Sequence, residues 1–332
     1  MSHKIIEVQQ DDDGQRLDRW LKRELPDVPY VLMQKLIRKG ALRVDGKRVK
    51  TDTRLSAGQA VKIPASGTGS GTANERKKIS AKDKAFIQSL VIFDDGEVIA
   101  LNKPSGLAVQ GGSGQKVHVD GFLDGLKGAD GVRPKLVHRL DKDTSGVLLL
   151  ARSTAIARTL GVSFKGKNVK KIYMALVQGV PEVASGTIKA KLAKGGGANK
   201  ERMRVDNESG KMAITEYTLL DKAGEAYSSV AFWPRTGRTH QIRVHAEIAG
   251  FPIVGDNKYR GYDELGDVKR DDNDLDFSER LHLHAYRIAL PHPSGNGTLD
   301  ITAPLPGALK KSWHGLGFDV GLKDDPFEGL EI

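Results

Sequence analysis

No cysteine occurs among the 332 residues, which excludes disulfides, thiolate nucleophiles, zinc–cysteine sites and iron–sulfur clusters. Any chemistry must come from oxygen and nitrogen groups. Long apolar runs are missing too: the longest aliphatic stretch, residues 147–151, is far below the ~20 residues that cross a bilayer. Residues 1–10 alternate charge with isolated aliphatics and lack the apolar segment of a secretory signal, so a cytoplasmic protein with no membrane partner is expected. There is no G-x-G-x-x-G dinucleotide fingerprint and no G-x-S-x-G nucleophile elbow. Residues 161–168 approach a phosphate-binding P-loop but place Asn168 where a magnesium-binding hydroxyl is required. His282 with His284, and His240 with His245, have no third ligand nearby, so neither a metal nor a cofactor is expected.

What is present is a surplus of cations. Lys and Arg number 52 against 42 Asp and Glu, a net charge of +10, and the pI is about 9.5. A polyanion is the partner such a balance predicts, and a merely solvated basic surface is the alternative. The charge is uneven: residues 14–63 carry 13 basic and 5 acidic side chains, whereas 263–276 carry 7 acidic and 2 basic ones.

Residues 14–65 read as a small module. Leu17, Leu21 and Leu25 give one helical spacing, residues 30–39 a second with Leu32, Leu36 and Ile37 on one side, and Gly40 is placed to stop it. The period then changes to two around the Asp45-Gly46 turn, a hairpin signal, and residues 60–64 add a strand. Lys35, Arg38, Lys39, Arg43, Lys47 and Arg48 face only Asp45, a density suited to a phosphate backbone. With Arg16-Leu17-Asp18 and Gly40-Ala41-Leu42-Arg43-Val44-Asp45-Gly46, the module resembles the α-L RNA-binding fold of a small-subunit ribosomal protein.

Residues 66–80, rich in Gly, Ser and Thr, predict a flexible linker. Residues 81–320 predict a larger domain of short strands, at 90–93, 98–102, 147–151, 172–177, 214–220, 228–232 and 298–301, with two helices. Ser153 is placed to cap the first, over 154–164, and Thr239 the second, whose face is Ile242, Ala246 and Ala249. Strands outnumber helices without alternating with them, so the class is α+β. A basic stretch, Lys189, Lys191, Lys194, Lys200, Arg202 and Arg204 around three glycines, reads as a loop, either RNA-facing or simply solvated.

The densest polar cluster beside an apolar strand is His138-Arg139-Leu140-Asp141-Lys142-Asp143-Thr144-Ser145-Gly146. From residue types alone it is either an active-site rim or an ordinary charged turn. Its order resembles the H-R-L-D-x-x-T-S-G signature of the RluA-type pseudouridine synthases. Further segments are similar to that family in the same order: Asn102-Lys103-Pro104-Ser105-Gly106, Lys171-Ile172-Tyr173, Arg235-Thr236-Gly237-Arg238-Thr239-His240-Gln241-Ile242-Arg243, Gly255-Asp256-Asn257-Lys258-Tyr259 and Leu283-His284-Ala285.

The resemblance implies a mixed, largely antiparallel catalytic sheet preceded by the α-L RNA-binding domain. It also implies isomerisation of uridine to pseudouridine in large-subunit ribosomal RNA by a monomer without cofactor. Asp141 would be the essential carboxylate, acting on ribose or on uracil as nucleophile or base, and Arg243 its ion-pair partner; the ordinary alternative for Arg243 is a surface pair with Glu247. Tyr173 would stack on the base and take part in proton removal, or be a core aromatic. Arg139 would fill the gap left by the flipped base or hold a phosphate, and Arg235 and Arg238 would meet phosphates. A protein that only binds RNA to assist ribosome assembly, or one directed at tRNA, is the competing reading.

Overall fold

The computed structural model describes residues 3–25, 28, 30–64, 79–111, 117–166, 168–195, 202–260, 277 and 279–330. The chain divides into two compact units, Met1–Ser80 with Ala129–Val132, and Ala81–Gly128 with Arg133–Ile332. Of the expected linker only residues 79 and 80 are described, and the acidic stretch 263–276 lies outside the described residues.

The first unit runs β1 (His3–Glu7), α1 (Leu17–Glu24), α2 (Tyr30–Arg38), β2 (Arg43–Val44), β3 (Lys47–Arg48) and β4 (Ala60–Pro64), with an antiparallel sheet ordered β1-β4-β2-β3. Leu17, Trp20 and Leu21 turn one face of α1 inward onto Met33, Ile37, Leu42, Val61 and Ile63. The buried side of α2 is therefore Met33 and Ile37 with Leu36 half-buried, and Leu32 is exposed, one position off the spacing read from the sequence. Gly40, at φ +70°, ends α2, and Asp45 and Gly46 both have positive φ, as a tight two-residue hairpin requires.

The second unit contains α3 (Ala81–Ser89), β5 (Val91–Asp94), β6 (Val98–Lys103), α4 (Val119–Phe122), β7 (Lys135–Leu136), β8 (Ser145–Ala151), α5 (Thr154–Gly166), β9 (Lys170–Gln178), β10 (Ser185–Lys194), β11 (Met203–Val205), β12 (Lys211–Ala223), β13 (Tyr227–Pro234), α6 (Gln241–Ile248), β14 (Leu283–Pro291), β15 (Thr298–Thr302) and α7 (Gly307–Gly315). One sheet runs β11-β10-β12-β13-β9-β14-β8-β6-β5, with β15 beside β14 and β7 beside β8. Its pairings are antiparallel except β14 with β8. The class is α+β with a mixed, largely antiparallel sheet.

β8 is buried throughout because both its faces are covered. Leu148 and Leu150 enter one core with Ile99 and Leu101, while Val147, Leu149 and Ala151 enter another with Leu160 and Ile288. Ser153 caps α5, its Oγ accepting the Ile156 N–H at 3.2 Å. Most of the described part of the basic stretch is strand rather than loop: Lys189, Lys191 and Lys194 lie in β10 and Arg204 in β11, because Thr187-Ile188-Lys189-Ala190-Lys191 alternates with period two; Arg202 just precedes β11, and Lys200 lies outside the described residues. Packing continues past residue 320, where Phe327 is buried against Ile172, Ala231 and Trp233.

Candidate active site

The loop 138–144 leads into β8 at the one parallel strand pair, and its end is fixed by a close approach. Gly146 has φ +112°, and a Cβ there would run into the Ala285 backbone of β14, so only glycine fits. Ser145 donates its hydroxyl to His284 Nδ1 at 2.8 Å, and His284 Nε2 donates to the Ala303 carbonyl at 3.0 Å. His284 is thus neutral; burial pushes its pKa down to about 4, against the pull of that carbonyl. His138 is neutral as well: Nε2 accepts the Leu149 N–H at 2.8 Å, its ring stacks on Phe164 at 4.6 Å, and burial takes its pKa to about 3.

The other side of the loop hangs on Lys103. This fully buried ammonium donates to the carbonyls of Pro104, Leu107 and Lys142 at 2.9–3.0 Å, while Ser105 Oγ donates to the Asp143 carbonyl at 2.7 Å. Burial pulls the Lys103 pKa to about 7, and Asp143 and Asp141 oppose the loss of its proton. Three carbonyls claim three N–H bonds, so the geometry calls for the charged form. Asp141 is thereby held at the tip of a loop tied down at both ends. Its carboxylate makes no hydrogen bond or ion pair with any described residue, yet Lys103, Tyr173, His240 and Arg243 all feel its charge.

Arg243 lies on α6 with its direct partner elsewhere. Nε and Nη2 form a bidentate pair with Asp256, both contacts 2.6 Å and both side chains buried, and the guanidinium lies 5.1 Å over the Tyr259 ring. The expected ion pair with Asp141 is thus replaced by one with Asp256, and Glu247, the other candidate, pairs with Arg202 at 3.5 Å. The physical reason is the fork of the guanidinium: one edge is taken by Asp256, and Nη1, unbonded among the described residues, is left for the cavity. Burial opposes the charge on Arg243, but the Asp256 bonds outweigh it and keep the guanidinium firmly protonated.

Thr239 does not cap α6. The helix begins after His240, a non-glycine residue at φ 52°, without a side-chain cap. Gln241 does the anchoring instead. Its Oε1 accepts from the Arg238 N–H and the Thr236 hydroxyl, and its Nε2 donates to the Ile214 carbonyl and Thr215 Oγ1, stapling the 235–239 loop to β12. Ile242 and Ala246 face the core as expected, and Ala249, beyond the helix, is exposed.

These loops enclose a cavity of about 830 Å³ lined by Asp141, Tyr173, Arg243, Arg139, Arg235 and Arg238 together. It falls within the few hundred to ~1,000 Å³ of small-ligand clefts and is large enough for an extruded nucleotide. Tyr173 packs its ring between two hydrophobic clusters and also faces the cavity; burial and the Asp141 charge raise its phenol pKa, so it stays protonated. Arg235 lies 3.9 Å over the Trp233 ring, Arg238 bonds the Met212 carbonyl, and Arg139 is exposed at the rim. Lys171, whose pKa burial depresses, also lines the wall without an acidic partner among the described residues. Lys103, Lys171 and Asp256 stand in the sequence motifs without a signal for these roles, and His240, weighed there only as a metal ligand with His245, lines the cavity instead.

In the first unit, Lys35, Arg38, Lys39, Arg43, Lys47 and Arg48 are all exposed and, among the described residues, unpaired with any acid. Arg43 sits in register between Arg48 on β3 and Lys62 on β4, a row of like charges across the sheet. Like charges placed opposite each other destabilise a sheet by a few tenths of a kcal/mol to ~1 kcal/mol unless an anion lies over them.

Comparison with known proteins agrees with both halves. A family model described as RNA pseudouridylate synthase matches residues 97–247, and one described as S4 domain matches residues 15–61. The ribosomal large subunit pseudouridine synthase C of Vibrio parahaemolyticus is 36% identical over 318 residues, 94% of this chain and 96% of that one. The protein of the same name from Pasteurella multocida is 37% identical over 311 residues, 93% and 92% of the two chains. Among solved structures, human RNA pseudouridylate synthase domain containing 4 superposes with a TM-score of 0.60 at 26% identity, over 71% of this chain and 97% of that one. Human RNA pseudouridylate synthase domain containing 1 gives 0.52 at 25% identity, over 65% and 83%. Identity above one third over nine tenths of both chains, with Asp141 at the lip of a nucleotide-sized cavity, leads to one assignment: the chain belongs to the RNA pseudouridylate synthase family.

Proposed function

We propose that this enzyme isomerises chosen uridines of large-subunit ribosomal RNA to pseudouridine, in the cytoplasm, with Asp141 as its essential carboxylate. The observation that carries this reading is the state of Asp141: a carboxylate without a hydrogen bond among the described residues, in a cavity of about 830 Å³ whose charged lining is mostly cationic, Arg139, Lys171, Arg235, Arg238 and Arg243 among it, while the other carboxylate, Glu216, is engaged by the Thr187 hydroxyl. The reaction breaks the bond from ribose C1′ to uracil N1, turns the base, and forms a bond from C1′ to C5. The proton lost at C5 is balanced by one gained at N1, and no electrons leave.

Asp141 acts on the ribose or the base as nucleophile or general base. Arg243 Nη1 supplies positive charge beside it while Asp256 holds the other edge of the guanidinium. Tyr173, kept protonated, offers its ring face to the base. Extruding the uridine costs a few kcal/mol of stacking. Arg139, exposed at the rim, is placed to enter the vacated space or to grip a phosphate, and Arg235 and Arg238 suit the flanking phosphates. The cation row of the S4 unit adds sequence-independent affinity for the RNA backbone.

The test is Asp141→Asn, assayed by mapping pseudouridine in naked and partly assembled large-subunit rRNA. Product formation is expected to fall by at least ~10²-fold while RNA affinity stays within a few fold. A parent protein that binds this RNA but forms no pseudouridine in any form of it would leave only an assembly role, and product confined to tRNA would move the substrate.

A further inference from the structure

We infer that His240 is a catalytic residue that presents its Nε2–H to the flipped nucleotide and donates to a uracil carbonyl oxygen as the glycosidic bond breaks. This rests on the reading of the cavity as the isomerase site.

Three observations converge on the imidazole. First, His240 is held at φ 52°, a conformation that costs a non-glycine residue on the order of 1–2 kcal/mol. No cap bond accounts for it, since the side chain bonds nothing in α6. What the strained turn does is aim the ring at the cavity wall, where it lines the same space as Asp141 and Arg243.

Second, the tautomer is fixed. Tyr259 Oη is buried, accepts the Met203 N–H at 2.7 Å, and lies 2.9 Å from His240 Nδ1. Nδ1 is the sole acceptor within reach of the phenol proton among the described residues, so the hydroxyl donates to it and the ring proton sits on Nε2. Third, Nε2 meets no partner among the described residues and is not sealed in the core, so its N–H opens into the cavity. Burial keeps the ring neutral; Asp141 and Asp256 favour its protonation, Arg243 and Lys258 oppose it.

A neutral, oriented N–H suits this reaction. When C1′–N1 breaks, the electron pair stays with uracil and spreads onto N1 and the ring carbonyl oxygens. A fixed donor stabilises that charge more than it stabilises neutral uridine. The donor gives up no proton: C1′–C5 then forms, the C5 proton leaves, and N1 is protonated.

His240→Asn separates the donor from the scaffold. Asn tolerates positive φ, and its Oδ1 can still accept the Tyr259 hydroxyl, but it carries no group at the Nε2 position. His240→Gln restores an N–H close to that position. Single-turnover pseudouridine formation on in vitro transcribed large-subunit rRNA is measured for both, beside RNA affinity and Tm. The expected result is a rate about 10²-fold lower for His240→Asn at unchanged affinity, with His240→Gln recovering at least several fold. Parental rate in His240→Asn, a rate loss matched by the affinity loss, or His240→Gln no faster than His240→Asn would each overturn the inference. Asp141→Asn is run alongside: if it keeps the parental rate, the site reading itself has failed, whereas an inactive Asp141→Asn beside a normal His240→Asn removes only the role of His240.

Discussion

At the scale of single residues, two positions are dictated by what touches them. Gly146 joins positive φ to contact with the Ala285 backbone, which belongs to a paired strand and cannot yield. Gly146→Ala is expected to lower stability by roughly 3 kcal/mol or more, combining backbone strain with overpacking. Urea unfolding measures it, and a loss under 1 kcal/mol would mean that the strand junction relaxes. Asp256 is the one carboxylate bonded to Arg243 among the described residues, and it also accepts the N–H groups of Lys258 and Tyr259 at 2.8 and 3.0 Å. Removing one member of a buried ion pair costs roughly 3–5 kcal/mol, more than the pair itself contributes. Asp256→Asn is therefore expected to reduce Tm and to slow turnover more than it weakens RNA binding. Equal losses in both would place Asp256 in substrate binding instead.

At the scale of elements, α6 and β14 each carry a fully buried neutral histidine. Burial takes the pKa of His245 to about 4, and no ring nitrogen of His245 has a partner among the described residues; His284 also falls to about 4. Both folded values lie below the ~6.5 of an unfolded chain, so between about 4 and 6.5 the unfolded state binds more protons and stability rises with pH. The loss is complete near the folded pKa, on the order of 3 kcal/mol for each histidine. Tm is expected to decline steadily as pH is lowered from 7 to 4.5. His245→Leu should shorten that decline, and an unchanged slope in the variant would show that other groups set it.

At the scale of the whole molecule, the exposed cation row belongs to the first compact unit and the Asp141 cavity to the second. The six exposed cations Lys35, Arg38, Lys39, Arg43, Lys47 and Arg48 pair with no acid among the described residues, and the two Arg43 bonds to the Gly40 and Gly46 carbonyls are offset by relief of the like-charge row, so replacing all six by Gln should leave Tm nearly unchanged. Each phosphate contact removed should flatten the dependence of log K on log salt by roughly 0.7–0.9. Turnover at saturating RNA should persist. Titration against rRNA fragments at several salt concentrations checks this, and an unaltered slope would assign the electrostatics of binding to the catalytic unit.

The linear order of residues by itself determined the two-helix module with its Asp45-Gly46 hairpin, the α+β class, most strands of the second unit, and Asp141 ahead of a buried strand. Those features are local: period two or 3.6 and turn chemistry act within a few residues of each other. The strand around Lys189 was hard to read because its lysines run straight into three glycines, a charged and Gly-rich context that outweighs the alternation with Ile188, Ala190 and Leu192 along one face of β10. Only the tertiary structure decided that Asp256 holds Arg243, that His240 rather than Thr239 opens α6, and that Lys103 braces the Asp141 loop. Periodicity reports which side of an element is buried, but the pairing of buried polar groups is settled by whichever donors and acceptors desolvation brings within about 3 Å, and that depends on how distant strands meet.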